Sequence, residues 1–85
     1  MIANTGAAGG LKLTAHGSAT LSGGEARTFS VPTSYFVIAG SNGTNIAARG
    51  QSGAGSGPQI SLSDDGNTLT ISTVVGTDVE YWAFG

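Results

Sequence analysis

The chain has 85 residues, of which only three are basic and five are acidic, and its net charge is −2. This length limits it to a single domain. It has no cysteine and one histidine, which excludes a disulfide framework and a zinc site built from Cys and His. Three scattered basic residues cannot form the positive stripe of a nucleic-acid-binding surface, so nucleic acid is not an expected partner.

Membrane insertion is also excluded by the pattern of hydropathy. The longest apolar runs, residues 35–39 and 81–84, are far shorter than the roughly 20 residues needed to cross a bilayer as a helix. Residues 1–6 have neither the basic nor the apolar region of a signal peptide. We therefore expect synthesis in a cytoplasm without secretion.

The composition predicts a core that is small for the number of residues to be ordered. Fifteen of the residues are glycine, which loses the most backbone entropy on folding. Because neither disulfides nor a metal can compensate, association with other chains is the remaining common source of stability. A homotrimer is the expected form.

The first elements in chain order are a flexible arm and a β-like segment. Residues 1–10 are rich in glycine and alanine and are predicted to be an N-terminal arm, followed by one domain over residues 11–85. Residues 11–15 and 19–21 alternate between apolar and polar types, as a strand does. The pair Gly17 and Ser18 between them predicts a break.

Three further strands are predicted between residues 27 and 48. Residues 27–31 alternate again and stop at Pro32, because proline cannot donate to a β-ladder. Residues 35–39 form a continuous apolar run, which predicts a strand covered on both faces. Residues 46–48 are a weaker strand candidate, and residues 50–57 read as a glycine-rich loop.

A β-hairpin over residues 60–72 is the clearest local signal. Ile60 and Leu62 alternate with serines, and Leu69 and Ile71 alternate with threonines and serine. Between them, residues 64–67 (DDGN) have the residue types of a tight turn, with a glycine available for positive φ. With the other short strands this hairpin predicts an all-β fold, a small antiparallel sandwich or barrel.

The closing segment, residues 78–85 (DVEYWAFG), carries aromatic side chains on both faces of a predicted strand. A sandwich buries only one face, and an aromatic pair left in solvent would be an unusual apolar patch. We expect Val79 and Tyr81 to point inward and Trp82 and Phe84 to lie at an interface. The full set of predicted interface residues is Tyr35, Phe36, Tyr81, Trp82 and Phe84.

No motif predicts catalysis, a cofactor site or a metal site. Residues 16–18 (HGS) lack the orienting group and the nucleophile elbow that serine catalysis needs. Residues 53–57 have the glycines of a phosphate loop without its lysine or following helix. Residues 64–67 do not have the spacing of a calcium loop. The chain is therefore not predicted to be an enzyme.

Two segments resemble small β-rich modules of tailed-bacteriophage virion proteins. In "ISLSDDGNTLTISTVVGTDVEYWAFG", residues 60–85, a hairpin and a Thr/Gly linker lead to a terminal strand that ends in an aromatic-rich tail. In "RTFSVPTSYFVIAG", from residue 27, a strand, a proline and an aromatic–aliphatic strand follow one another. The resemblance implies a structural role in a virion and no catalytic residues.

Within that resemblance, the expected function is capsid decoration (cement protein), with the virion as the location. A short arm and the absence of a coiled-coil shaft favour this role over a tail-fibre or tail-tip component that binds a host receptor. The expected partners are other copies of the chain and the major capsid or tail proteins, and the tail role adds a host glycan or receptor. A carbohydrate-binding module, with Trp82 and Tyr81 stacking on a sugar, is a third alternative.

Overall fold

Eight β-strands make up the computed structural model, which describes residues 11–40, 45–53 and 58–85. Helix is absent from these residues. The predicted arm, residues 1–10, and residues 54–57 of the predicted loop lie outside the described residues. The strands are β1 (Leu13–Leu21), β2 (Ala26–Ser30), β3 (Phe36–Gly40), β4 (Asn45–Ala48), β5 (Ser52–Gly53), β6 (Gln59–Leu62), β7 (Thr68–Ser72) and β8 (Thr77–Phe84).

The strands form two four-stranded antiparallel sheets. The first sheet has the order β1-β8-β3-β4 and the second has the order β2-β7-β6-β5. The two sheets pack face to face, so the molecule is a β-sandwich and not a closed barrel. The predicted all-β class is confirmed.

The core lies between the sheets and takes alternate residues of most strands, because side chains alternate between the two faces of a strand. Phe29, Tyr81, Ala15 and Ala19 pack against it from partly buried positions. Its buried apolar members are Leu21, Val31, Val37, Ala39, Ala47, Ile60, Leu62, Leu69, Ile71, Val79 and Ala83.

The predicted hairpin is confirmed as β6 and β7, with its apolar face in the core. Gly66 takes a φ of 74°, and its N–H donates to the Ser63 carbonyl over 3.0 Å. The Asp65 carboxylate accepts from the Ser63 hydroxyl at 2.6 Å and from the Asn67 N–H at 3.0 Å. The turn therefore forms because its glycine tolerates a left-handed backbone and its aspartate bonds a nearby N–H.

The predicted break at Gly17 and Ser18 is wrong, since β1 runs through both residues. A Cβ atom on Gly17 would lie 2.5 Å from Oη and 2.6 Å from Cζ of Tyr81. The Tyr81 ring lies under Gly17 and contacts Phe29 of the second sheet at 4.9 Å between ring centroids. This glycine is therefore needed for close packing and does not interrupt the strand.

A β-bulge near the start of β1 changes which residues face the core. Leu13 is opposite Phe84, whereas Ala15 is opposite Ala83, so the register shifts between them. Uniform alternation would put Leu13 and Ala15 on one face. Because of the bulge, Ala15 packs against the core while Leu13 is 54% exposed.

Among the described residues, only one face of strand β3 is covered by another sheet. Val37 and Ala39 are buried in the core, as expected for the apolar run. Phe36 and Ile38 point to the opposite side, where they are half-buried among neighbours of their own sheet. The predicted coverage of both faces is therefore not seen within these residues, and the weaker candidate at residues 46–48 is part of β4.

We expect Gly17→Ala to destabilise the protein by about 1–3 kcal/mol, because the added methyl group must displace the Tyr81 ring from a filled site. Urea unfolding followed by Trp82 fluorescence measures the change. Ser18→Ala, at the next and exposed position of β1, is the matched control and should change the unfolding free energy little. Equal stability of the two variants would contradict the packing described for Tyr81.

Asp65 predicts a specific dependence of stability on pH. Hydrogen bonds from the Ser63 hydroxyl and the Asn67 backbone N–H hold the pKa of Asp65 below its ordinary value. The ionised Asp65 carboxylate therefore contributes its full stabilisation of the folded state above the pKa of an aspartate in the unfolded chain, about 3.9. This stabilisation is lost as the pH falls through the lower pKa of Asp65 in the folded state. Asp65→Asn removes this titration. The unfolding free energy of the variant, measured by urea unfolding at a series of acidic pH values, should therefore fall less with decreasing pH than that of the unmodified chain.

Candidate interaction surface

The outer side of the first sheet is apolar toward one end, in two rows of side chains that cross its four strands. The pairing of β1, β8, β3 and β4 aligns two rows of outward side chains. One row is Leu13, Phe84, Phe36 and Ala48, and the next is His16, Trp82, Ile38 and Ile46. We call the apolar members of these rows the apolar face: Leu13, Phe36, Ile38, Ile46, Ala48, Trp82 and Phe84.

The aromatic residues of the apolar face are packed within the sheet and still reach solvent. Phe36 and Phe84 stack with ring centroids 4.9 Å apart and planes 18° from parallel. Both are half-buried, whereas Ile46 at the edge of the sheet is 60% exposed. Adjacent aromatic and aliphatic side chains in solvent form the kind of patch that marks an interaction site on a soluble protein.

Trp82 lies in the second row of the apolar face, with His16 beside it on β1. The two rings stack with centroids 5.3 Å apart and planes 11° from parallel. Nε2 of His16 is 2.6 Å from a carboxylate oxygen of Glu80, which holds the imidazole in this position. The imidazole therefore covers one face of the indole, and the carbohydrate alternative stays a prediction.

An acidic border lies beyond the apolar face along β8. Glu80 and Asp78 occupy the next two outward positions, and the Thr20 hydroxyl donates to Asp78 over 2.7 Å. With Ser18 they line a shallow depression. Within the described part of the chain, no group of three or more His, Cys, Asp or Glu residues is arranged to hold a metal ion.

Tyr35 occupies a different place, at the end of the first sheet. The Arg49 guanidinium lies over its ring, 4.6 Å from the centroid, and donates through Nε to the Ser34 carbonyl at 2.9 Å. Tyr35 is nevertheless 56% exposed. The contact with Arg49 therefore leaves the Tyr35 ring accessible to solvent.

The predicted interface residues thus divide among three places. Trp82, Phe84 and Phe36 belong to the apolar face, Tyr35 lies at the end of the sheet, and Tyr81 lies between the sheets. The alternation predicted for β8 agrees with the structure, because Val79 and Ala83 are buried and Tyr81 packs against the core. Whether Trp82 and Phe84 contact a partner stays a prediction.

Sequence reasoning missed the aliphatic members of the apolar face. The signal for Ile38 and Ile46 was present, since each is an apolar residue that alternates with core residues in a short strand. Leu13 had no such signal, because its orientation depends on the bulge. The sequence pattern also could not show that β3, β4 and β8 are neighbours.

The outer side of the second sheet is chemically different and serves as an internal comparison. Its aligned outward positions include Thr28, Thr70, Ser61 and Ser52, one from each strand. Hydroxyl side chains of this kind remain hydrated at little cost. The outer side of the second sheet therefore gains little from leaving water. The apolar face of the first sheet gains more, and it is the surface suited to contact another protein.

Comparisons with family models, curated proteins and solved structures give no match to this chain. The described residues contain no helix of the length and hydropathy that could span a membrane.

The structure predicts that Ile46 contributes little to folding although it is apolar. Ile46→Thr keeps a β-branched side chain at a largely exposed position, so the unfolding free energy should change by no more than about 0.5 kcal/mol. Leu69→Ala, at a fully buried position, should cost about 2–5 kcal/mol. Urea unfolding of both variants tests this, and a large loss for Ile46→Thr would show that the apolar face is already buried in the isolated protein.

Proposed function

We propose that this chain is a non-enzymatic structural protein of a bacteriophage virion, and that it decorates the capsid by docking its apolar face on the capsid surface. The observation that carries the proposal is the apolar face itself. Removing apolar surface from water contributes about 25 cal/mol per Å². Aromatic residues are also enriched at the buried centres of protein interfaces, where they contribute most of the affinity.

The virion assignment is supported by the resemblance of two segments to phage structural modules. These segments supply β2 and β3 and then β6, β7 and β8. They therefore include the central strands of both sheets and four residues of the apolar face, Phe36, Ile38, Trp82 and Phe84.

The border of the apolar face indicates which capsid surface would fit. Asp78 and Glu80 lie at one end of it, with exposed or half-exposed carboxylates. A complementary surface has an apolar centre and a lysine or arginine facing these carboxylates. Such a charge pair at the rim contributes more to orientation and association rate than to affinity.

The test is the amount and position of the chain in purified virions of the phage that encodes it. Quantitative mass spectrometry should find many copies, in proportion to the capsomers, and electron microscopy should place them on the head. A small number of copies located at the tail would contradict decoration and support the tail-fibre or tail-tip alternative. Absence from the virion would overturn both roles.

A matched pair of variants tests the docking surface. Ile46→Asp places a charge on the apolar face and should abolish incorporation into virions, because a carboxylate buried against an apolar partner is strongly unfavourable. Thr28→Asp places the same charge on the outer side of the second sheet, also on an edge strand, and should be incorporated normally. Normal incorporation of a folded Ile46→Asp chain, with β-rich circular dichroism as the criterion of folding, would exclude this docking surface.

A further inference from the structure

One lateral side of the sandwich is closed and the other is open. At the closed side, Arg49 forms a parallel bridge with Leu62, and the N–H of Leu62 donates to the Gln51 carbonyl over 3.1 Å. At the opposite side lie β1 and β2, the edge strands of the two sheets, and neither has a second strand partner among the described residues. Behind this open side, Tyr81 and Phe29 are only partly buried.

The backbone groups along the free edge of β1 can be identified from the alternation of an antiparallel ladder. Residues that exchange hydrogen bonds with the neighbouring strand alternate with residues whose N–H and C=O point away from it. The Thr20 carbonyl accepts from the Arg27 guanidinium at 3.3 Å, which shows that Thr20 points away from β8. By alternation, His16 and Ser18 also point their N–H and C=O to the free edge.

This free edge is limited at both ends and accessible in the middle. The bulge between Leu13 and Ala15 interrupts regular pairing at one end. Arg27 occupies the Thr20 carbonyl at the other end, and its position is fixed by a 2.7 Å ion pair with Glu25. Natural sheets use bulges and charged side chains of this kind to block edge-to-edge pairing. Among residues 11–40, 45–53 and 58–85, these two features leave the segment centred on Gly17 unblocked.

We propose that β1 of a second copy of the chain pairs with this edge, antiparallel, about a two-fold axis at Gly17. In this register, His16 of one chain and Ser18 of the partner subunit face each other and exchange both backbone hydrogen bonds. By the same symmetry, Ser18 of the first chain exchanges both backbone hydrogen bonds with His16 of the partner subunit. The first sheets of the two copies then join into one continuous sheet, which also covers the open side next to Tyr81.

A second copy fits this edge because the outward N–H and C=O groups of His16 and Ser18 complement those of an identical antiparallel strand. Strand β1 contains no Lys, Arg, Asp or Glu, so the two-fold pairing brings no like charges directly opposite each other. Because the two-fold pairing uses the β1 edge of each copy, this contact closes at two copies. This differs from the homotrimer predicted from the sequence.

Hydrogen exchange on the unmodified full chain tests the pairing directly. Light scattering at high concentration should give twice the 8.3 kDa mass of one chain. Under those conditions the amides of His16 and Ser18 should exchange slowly in NMR, and dilution to the monomer should make them exchange fast. Thr28 and Ser30 are the internal control. The Val31 N–H donates to the Asn67 carbonyl and the Glu25 carbonyl accepts from the Thr73 N–H, at the two ends of β7. By alternation, Thr28 and Ser30 point their N–H groups to the free edge of β2. Their amides should exchange fast at every concentration.

A matched pair of proline variants tests the edge by substitution. Ser18→Pro removes an N–H that points away from β8 and makes no bond to the described residues. Its ring also obstructs the edge, so the dimer should be lost while the β-rich circular dichroism is retained. Thr28→Pro makes the same change on the free edge of β2 and should leave the dimer intact. If Ser18→Pro fails to fold, hydrogen exchange on the unmodified chain decides the question.

Three outcomes would overturn the inference. One is a monomer at all accessible concentrations, and another is a trimer. The third is a dimer in which the His16 and Ser18 amides still exchange fast, which would place the contact on another surface such as the apolar face. The inference does not depend on the proposed function, because virion incorporation is measured separately from pairing of the isolated chain.

Discussion

The two-residue period of β8 is the constraint on which the rest of this small protein depends. The strand is hydrogen-bonded to β1 on one side and to β3 on the other, so it is the element around which the first sheet is organised. Its inward set, Val79, Tyr81 and Ala83, packs toward the core, and its outward set places Trp82 and Phe84 in solvent. A shift of one residue would exchange the two sets, and the core would lose the small Ala83 between the sheets.

The contact of Tyr81 with Gly17 and Phe29 links that strand to the second sheet. A large ring fills the space between the sheets toward the open side, where smaller residues would leave a cavity. The Tyr81 ring fits because Gly17, which lies against it, has no side chain. The core of a glycine-rich chain can thus be closely packed when a glycine and an aromatic residue occupy complementary positions.

The two proposed contacts use different parts of the first sheet and different physical forces. The apolar face offers side-chain area, and its contribution comes from removing Trp82, Phe36 and their neighbours from water. The free edge of β1 offers backbone donors and acceptors and a short segment that is not blocked by a bulge or by Arg27. A pair formed at the edge would place the two apolar faces on the same side of the joined sheet, one toward each end, without covering them. The two contacts are therefore compatible, and a pair would present twice the docking surface to a partner.

Local pattern in the sequence by itself determined the all-β class, the hairpin with its DDGN turn, and the inward and outward sets of β8, because these depend on alternation and on turn chemistry within a few residues. Only the tertiary structure decided that β1 runs through Gly17, that a bulge turns Leu13 outward, and that Ile38 and Ile46 join Trp82 on one surface. Each of these depends on residues far apart in the chain, such as Gly17 with Tyr81 and Leu13 with Phe84. Contacts between distant residues leave no periodic signal in the sequence, since only the pairing of the strands brings them together.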